Sequence, residues 1–172
     1  MRAIRYGVAM SLDGYIAGPN GEADWIGIDP EVDFAAIWAQ FDTLVMGRRT
    51  YEAAVQRLGE ATLTGMTSIV FSRTLKQQDH PNLTVVSELT ADWVRDLKAQ
   101  SGKDIWLFGG SELFRRFLDS GCVDRIDVLV IPLLLGAGIP LLPLPYTPTR
   151  LRLLSHHVYQ SGRLSLAYEV LH

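Results

Sequence analysis

Thr43-Leu44-Val45-Met46-Gly47-Arg48-Arg49-Thr50-Tyr51-Glu52 is the stretch whose reading decides the fold of this chain. Residues 43–46 suit a buried strand, Gly47 breaks it, and a basic, hydroxyl-bearing segment opens a helix with Tyr51, Val55 and Leu58 on its inner side. Such a junction is also a place for an anion. The first backbone N–H groups of a helix point outward, and the dipole is positive there. Arg48 and Thr50 would add a guanidinium fork and a hydroxyl, whereas Arg49 is expected to be a solvated charge. Plain α/β punctuation is the competing reading of the stretch by itself.

Two further strand ends carry similar chemistry. Ile105-Trp106-Leu107-Phe108 reads as a fully buried strand running into Gly109-Gly110-Ser111-Glu112, a second helix start with Leu113, Phe114, Phe117 and Leu118 inward and Gly121 as its stop. Thr67 to Phe71 ends at Ser72-Arg73. In α/β sheets ligands gather at the carboxyl ends of strands. Two helix N-termini match the two phosphates of a pyrophosphate, and an extra Arg with a Ser suits a 2′-phosphate, which favours NADP over NAD. No G-x-G-x-x-G follows the first strand, and no Walker motif is present.

Outward from these junctions, Ile4, Tyr6, Val8 and Met10 alternate as a strand over 3–10, followed by a Gly-rich loop over 11–27 of the kind that forms lids. Asp29-Pro30 predicts a helix start with Asp29 as N-cap, and Phe34, Ile37, Trp38 and Phe41 share one face. Thr90 caps a helix carrying Trp93, Val94 and Leu97, and strands follow at 127–131, 150–157 and 163–171, the last two turned at Gln160-Ser161-Gly162. The expected fold is α/β. A mixed, mainly parallel central sheet is flanked by helices and closed by a C-terminal antiparallel hairpin, in one domain over 1–172.

Composition narrows the function. A net charge of -3 gives no sign of a nucleic-acid partner. The uncharged run from Val128 to Thr149 is broken by five prolines and two glycines, so no membrane span is expected. The single cysteine, Cys122, fits a reducing compartment and reads as a bystander, and the start of the chain lacks a leader pattern, so a cytoplasmic location is expected. His156 and His157 point to opposite faces of one strand and cannot share a metal.

Ser11-Leu12-Asp13-Gly14-Tyr15-Ile16-Ala17, Met46-Gly47-Arg48-Arg49-Thr50-Tyr51-Glu52, Phe71-Ser72-Arg73 and Phe108-Gly109-Gly110 occur in the order and approximate spacing of the dihydrofolate reductase superfamily. The chain resembles most closely the reductase domain of the bifunctional riboflavin-biosynthesis deaminase-reductase and its stand-alone relatives, whose pattern Asp124-Arg125-Ile126-Asp127 and Pro132 to Pro140 follow. One cysteine cannot supply the zinc ligands of a deaminase half.

The resemblance implies an NADPH-dependent reductase acting on a pyrimidine- or pterin-like small molecule. An aminouracil reductase is favoured over dihydrofolate reductase-type activity, and a non-catalytic NADPH-binding dimer is the rival. It implies that Gly47, Arg48 and Thr50 hold phosphate, and Ser72 and Arg73 the 2′-phosphate. Gly109, Gly110, Ser111, Glu112 and Leu113 would lie against the pyrophosphate and nicotinamide ribose. Ala9 would offer backbone groups to the carboxamide, with Ile16 and Ala17 beside the ring. On the substrate side it implies Asp33 as the acid on the first helix and Trp25 as a pocket aromatic, with Asp24 as a second acid. Asp33 also reads as a first-turn carboxylate serving the helix dipole. A homodimer is implied, with the loop from Leu133 to Pro148 as pocket roof or subunit contact.

Overall fold

Ile4 and Tyr6 point to the same side of the first strand and are fully buried, as a spacing of two requires. A computed structural model describes residues 1–59 and 65–172, with Leu58, expected on the inner side of its helix, described by its backbone alone. The strands are β1 (Ile4–Ser11), β2 (Tyr15–Ala17), β3 (Phe41–Gly47), β4 (Thr67–Phe71), β5 (Thr84–Val86), β6 (Asp104–Gly109), β7 (Arg125–Ile131), β8 (Ile139–Pro140), β9 (Leu151–Val158) and β10 (Leu164–Val170). The helices are α1 (Phe34–Trp38), α2 (Arg48–Leu58), α3 (Ala91–Ala99) and α4 (Ser111–Asp119). Eight strands form one sheet in the order β5-β4-β3-β6-β1-β7-β10-β9, parallel from β5 to β7 and antiparallel at β7–β10–β9. The expected α/β architecture, closed by an antiparallel hairpin, is the one observed.

Each face of the sheet buries its own apolar set. Ile4, Tyr6, Val45, Ile105, Leu107, Ile126 and Val128 meet α3 and α4 through Val94, Leu97, Leu113, Phe114 and Phe117. On the other face Leu44, Met46, Val70 and Trp106 pack against Ile37 and Trp38 of α1 and Tyr51 and Val55 of α2. Burying side chains of this size contributes about 1.5–3 kcal/mol each. The Asp124 motif proves to be a tie: its carboxylate accepts Lys98 Nζ at 2.8 Å and the Ile4 N–H at 2.7 Å, joining α3 and β1 to the start of β7. Thr90 caps α3 as expected, accepting the Trp93 N–H at 3.2 Å.

The first helix differs from its expectation. It spans only Phe34–Trp38, its N-cap is Asp33 rather than Asp29, and Phe41 already belongs to β3. The reason lies far along the chain. Asp29 is buried, and its Oδ2 accepts the Ser161 hydroxyl at 2.5 Å and sits 3.6 Å from Arg163 Nε. Its Oδ1 still accepts the Glu31 N–H at 3.0 Å, so the start expected here closes only a single turn pinned to the β9–β10 turn, and Asp33 caps the helix that follows. A helix of five residues would not persist alone; Trp38 anchors it, with ring centroids 4.9 Å from Trp106.

The small antiparallel pair β2–β8 was also not legible, because Ile139–Pro140 has only two residues and one is proline. Among the described residues, no helix is long and apolar enough to cross a membrane, and no group of three or more His, Cys, Asp or Glu could hold a metal.

Candidate functional site

The parallel sheet splits at one place. β1 pairs with β6 only from Ile4 to Tyr6, while its pairing with β7 continues to Ser11. β6 meanwhile stays with β3 as far as Gly109, which faces Met46. Beyond Tyr6 and Leu107 a cleft therefore opens between β1 and β6 at the carboxyl ends of the strands. The chain also changes direction there: β3 lies on one side of β1 and β7 on the other. Such a switch point is where open α/β sheets take ligands. The Trp106 indole closes the base of the cleft, donating to the Gly7 carbonyl at 3.1 Å.

Two glycine-capped helices stand on this edge. Gly47 is the N-cap of α2 and Gly110 the N-cap of α4, and neither helix has a side-chain cap. Their first N–H groups are thus left to solvent or a ligand. The Gly109–Gly110 peptide is cis, and Gly109 has φ 131°, a conformation that favours glycine. A Cβ on Gly110 would lie 3.2 Å from Thr50 Oγ1, so Thr50 of one helix reaches over the start of the other. At Gly47 the fold makes no comparable demand: φ is −79°, and a Cβ would meet nothing within 4 Å.

The structure brings Gly47, Arg48, Thr50, Gly109, Gly110 and Ser111 together at adjacent strand ends. Arg48 is 43% exposed, with Nε 3.8 Å from Glu52 Oε1 one turn on. Ser111 is buried, whereas Glu112 is exposed and sits 3.3 Å from Arg115. Leu113 sends its side chain into the core on α4's face of the sheet. Past β4, Ser72 Oγ accepts the N–H groups of Thr74 and Leu75 at 3.1 and 3.0 Å. That hydroxyl holds its own turn and also lies 3.3 Å from Thr74 Oγ1, where either hydroxyl can donate. Arg73 is exposed and has no ion-pair partner among the described residues.

On the far bank, Ala9 lies opposite Leu129 of β7, and its strand edge toward β6 is the one the split leaves open. Ile16 and Ala17 are half-buried on β2. Trp25 sits in a single 3-10 turn over Asp24–Ile26 and donates Nε1–H to the Glu22 carbonyl at 3.0 Å; Asp24 is exposed. Asp33 is exposed, and its Oδ1 accepts the Ala36 N–H at 2.9 Å as N-cap of α1. The cap role foreseen for a carboxylate here is thus occupied by one oxygen.

Sequence reasoning missed what holds the Trp25 segment. Arg163 donates to the Ile26 carbonyl at 2.6 Å, and Glu31 accepts the Gln160 N–H at 2.8 Å. The Ser161 hydroxyl and, after it, the Glu31 N–H and the Arg163 charge keep the Asp29 carboxyl below its usual range. Nothing in the linear pattern links Asp29 to a turn more than a hundred residues later. Cys122 is half-buried, and burial pushes its thiol pKa up, which suits an inert side chain. His156 and His157 are both exposed neighbours on β9.

Comparison with known proteins agrees with this geometry. The family model described as the RibD C-terminal domain matches residues 2–164. YyaP, an uncharacterized protein of Bacillus subtilis (strain 168), is 30% identical over 178 residues, covering 97% of this chain and 94% of YyaP. The riboflavin biosynthesis protein RibD of Corynebacterium ammoniagenes is 26% identical over 159 residues, covering 82% of this chain but 46% of that protein. Among solved structures, a Shewanella sp. PV-4 protein whose name assigns it to riboflavin biosynthesis superposes with a TM-score of 0.80 at 25% identity, covering 99% of each chain. The chain belongs to the RibD C-terminal domain family.

Proposed function

We propose that this chain is an NADPH-dependent reductase of a pyrimidine- or pterin-like small molecule, most like the 5-amino-6-(5-phosphoribosylamino)uracil reductase of riboflavin biosynthesis. The observation that carries the reading is the split between β1 and β6, flanked by two helix N-termini with glycine at the cap and no side-chain cap hydrogen bond. A pyrophosphate needs close backbone approach. The residues fit that need: a Cβ at Gly110 would sit tightly, 3.2 Å from Thr50 Oγ1, and the space a Cβ would take at Gly47 is open.

Arg48 and Thr50 would hold phosphate with the first N–H groups of α2. The backbone of Ser111, Glu112 and Leu113 would do the same at α4. Ser72, donating its hydroxyl, and Arg73 would take the 2′-phosphate. The backbone edge of Ala9 would orient the carboxamide, and Ile16 and Ala17 would pack beside the ring and exclude water. When bound, NADPH supplies the hydride, and the chain contributes orientation. Asp33 and Trp25 would face the heterocycle, with the Asp33 oxygen that does not cap α1 able to hold a proton near it.

Thermal melts with NADPH and NADH, followed by Arg73→Ala, test the cofactor assignment. The substitution should weaken NADPH roughly tenfold or more, the worth of one charge-assisted contact, and leave NADH nearly unchanged. Equal losses would mean that this strand end does not read the 2′-phosphate, and no shift with either nucleotide would remove the reductase reading. Binding without turnover on pterin or uracil acceptors would favour a nucleotide-binding protein. A second copy of the chain is the proposed cover for β9, whose eight residues are all exposed, Leu151, Leu153, Leu154 and Val158 among them. Sedimentation as a monomer at micromolar concentration would end that proposal.

A further inference from the structure

The turn Ser11-Leu12-Asp13-Gly14 joins β1 to β2, and one exposed carboxylate ties it to the loop after β7. Asp13 Oδ1 accepts the Ser11 hydroxyl at 2.6 Å and the Leu135 N–H at 3.1 Å, and Oδ2 accepts the Gly136 N–H at 2.7 Å. Ser11, fully buried, also accepts the Tyr15 N–H at 3.0 Å. The Ser11 hydroxyl and then the Gly136 and Leu135 N–H groups hold the Asp13 carboxyl below its usual range, so it is ionised at neutral pH. Around it, the Leu12 N–H donates to Leu133 and the Leu141 N–H to Gly14, each at 2.9 Å.

The two segments also touch as β2 and β8, but their ladder has only two register pairs, Tyr15 with Pro140 and Ala17 with Ile139. A ladder that short does not hold itself together. Gly138 lies so close that a Cβ there would collide with the Ala17 carbonyl oxygen. Beside that ladder and the two backbone bonds, the side-chain tie between residues 11–17 and residues 133–141 is the Asp13 carboxylate. It takes two N–H groups from the far loop while Ser11 orients it from its own turn, and charge-assisted bonds are roughly twice as strong as neutral ones.

We propose that Asp13 is a positioning residue: it latches the 133–138 loop to the β1–β2 turn, so that β2 and β8 form one flap set over the nicotinamide end of the bound dinucleotide. The inference rests on the reading above that Ile16 and Ala17 lie beside the nicotinamide. It assigns the flap to one end of the cofactor only. The Ser72–Arg73 end lies past β4, on the other side of β3 and β6 from β1, and the latch does not reach it.

The test is Asp13→Asn, titrated with NADPH and with adenosine 2′,5′-bisphosphate, which has no nicotinamide. Asparagine has one acceptor oxygen where the carboxylate has two, so one of the loop N–H groups loses its partner. NADPH affinity should fall about tenfold, the worth of one hydrogen bond to a charged group, while the bisphosphate binds within about twofold of wild type. A parallel loss for both ligands would show general loosening and overturn the proposal, as would no loss for either. Wild-type protein that binds neither ligand would instead refute the cofactor reading, and the latch's role with it. Faster amide exchange at Leu135 and Gly136 in the variant reports the latch geometry separately from both outcomes.

Discussion

Replacing Gly47 with alanine separates what the fold needs at the β3–α2 junction from what a ligand needs there. The backbone has φ −79° and ψ 161°, which alanine adopts freely, and the added methyl would meet no heavy atom within 4 Å. The fold therefore feels two small opposing effects. Alanine is a poorer N-cap than glycine by several tenths of a kcal/mol to about 1 kcal/mol. It also reduces the freedom of the unfolded chain, a gain of about 0.4–1 kcal/mol. These nearly cancel, and the melting midpoint should stay within about 2–4 °C of wild type. A phosphate drawn against the first N–H groups of α2 would meet the methyl instead. Loss of one charge-assisted hydrogen bond, about 1.5–3 kcal/mol, raises the Kd for NADPH roughly 10- to 150-fold. Titration of intrinsic fluorescence beside thermal melts reads both quantities on the same samples. Unchanged affinity in a folded variant would refute the phosphate seat, and an unfolded variant would refute the steric reasoning.

Other substitutions probe single assignments. Asp33→Asn keeps an equally good N-cap, so the melting midpoint should hold while turnover falls at least tenfold by the proton-transfer range; unchanged turnover would reduce Asp33 to a cap. Asp29 has a folded pKa below its unfolded one, so its contribution to stability is present above about pH 4 and lost as pH falls through the folded value. Asp29→Asn should accordingly flatten the acid side of the stability profile measured by urea melts, and an unaltered acid limb would count against the Ser161–Arg163 tie. The buried Tyr6 hydroxyl has no hydrogen-bond partner among the described residues, and burial pushes its pKa up. Tyr6→Phe should therefore raise stability by about 1–2 kcal/mol with the Phe114 stack kept; a destabilised variant would show that the hydroxyl is paired in solution.

The parts of the fold legible in the sequence are those written locally. Ile4 and Tyr6, Val45 and Ile105 are buried where period and composition put them, and Gly47 and Gly110 mark helix starts because only the next few residues decide that. Asp29 misleads for the opposite reason. Asp-Pro is a sound local helix start, and Asp29 does accept the Glu31 N–H, but its other oxygen is tied to Ser161 and Arg163 and the turn there does not continue as a helix. The strand ends that form the site could be picked out one by one. Their arrangement around a split sheet could not, because the split is a matter of register: β1 leaves β6 at Tyr6 and stays with β7. Asp13 belonged to a recognisable motif, yet the loop N–H groups it holds lie more than a hundred residues away.

The aromatic cluster beneath the cleft gives the molecule an internal optical gauge. Trp38 and Trp106 lie 4.9 Å apart, and Trp106 is 5.1 Å from Phe108, the residue immediately before Gly109. Indole emission overlaps the absorption of reduced nicotinamide but not that of its oxidised form. A cofactor seated at Gly109 would dim this pair when reduced and restore it when oxidised. Trp93 packs on Phe71 across the sheet, in the other apolar set, so replacing it by phenylalanine would leave the Trp38–Trp106 pair as the closer reporter. Occupancy and redox state could then be followed with no added dye and before any acceptor is known.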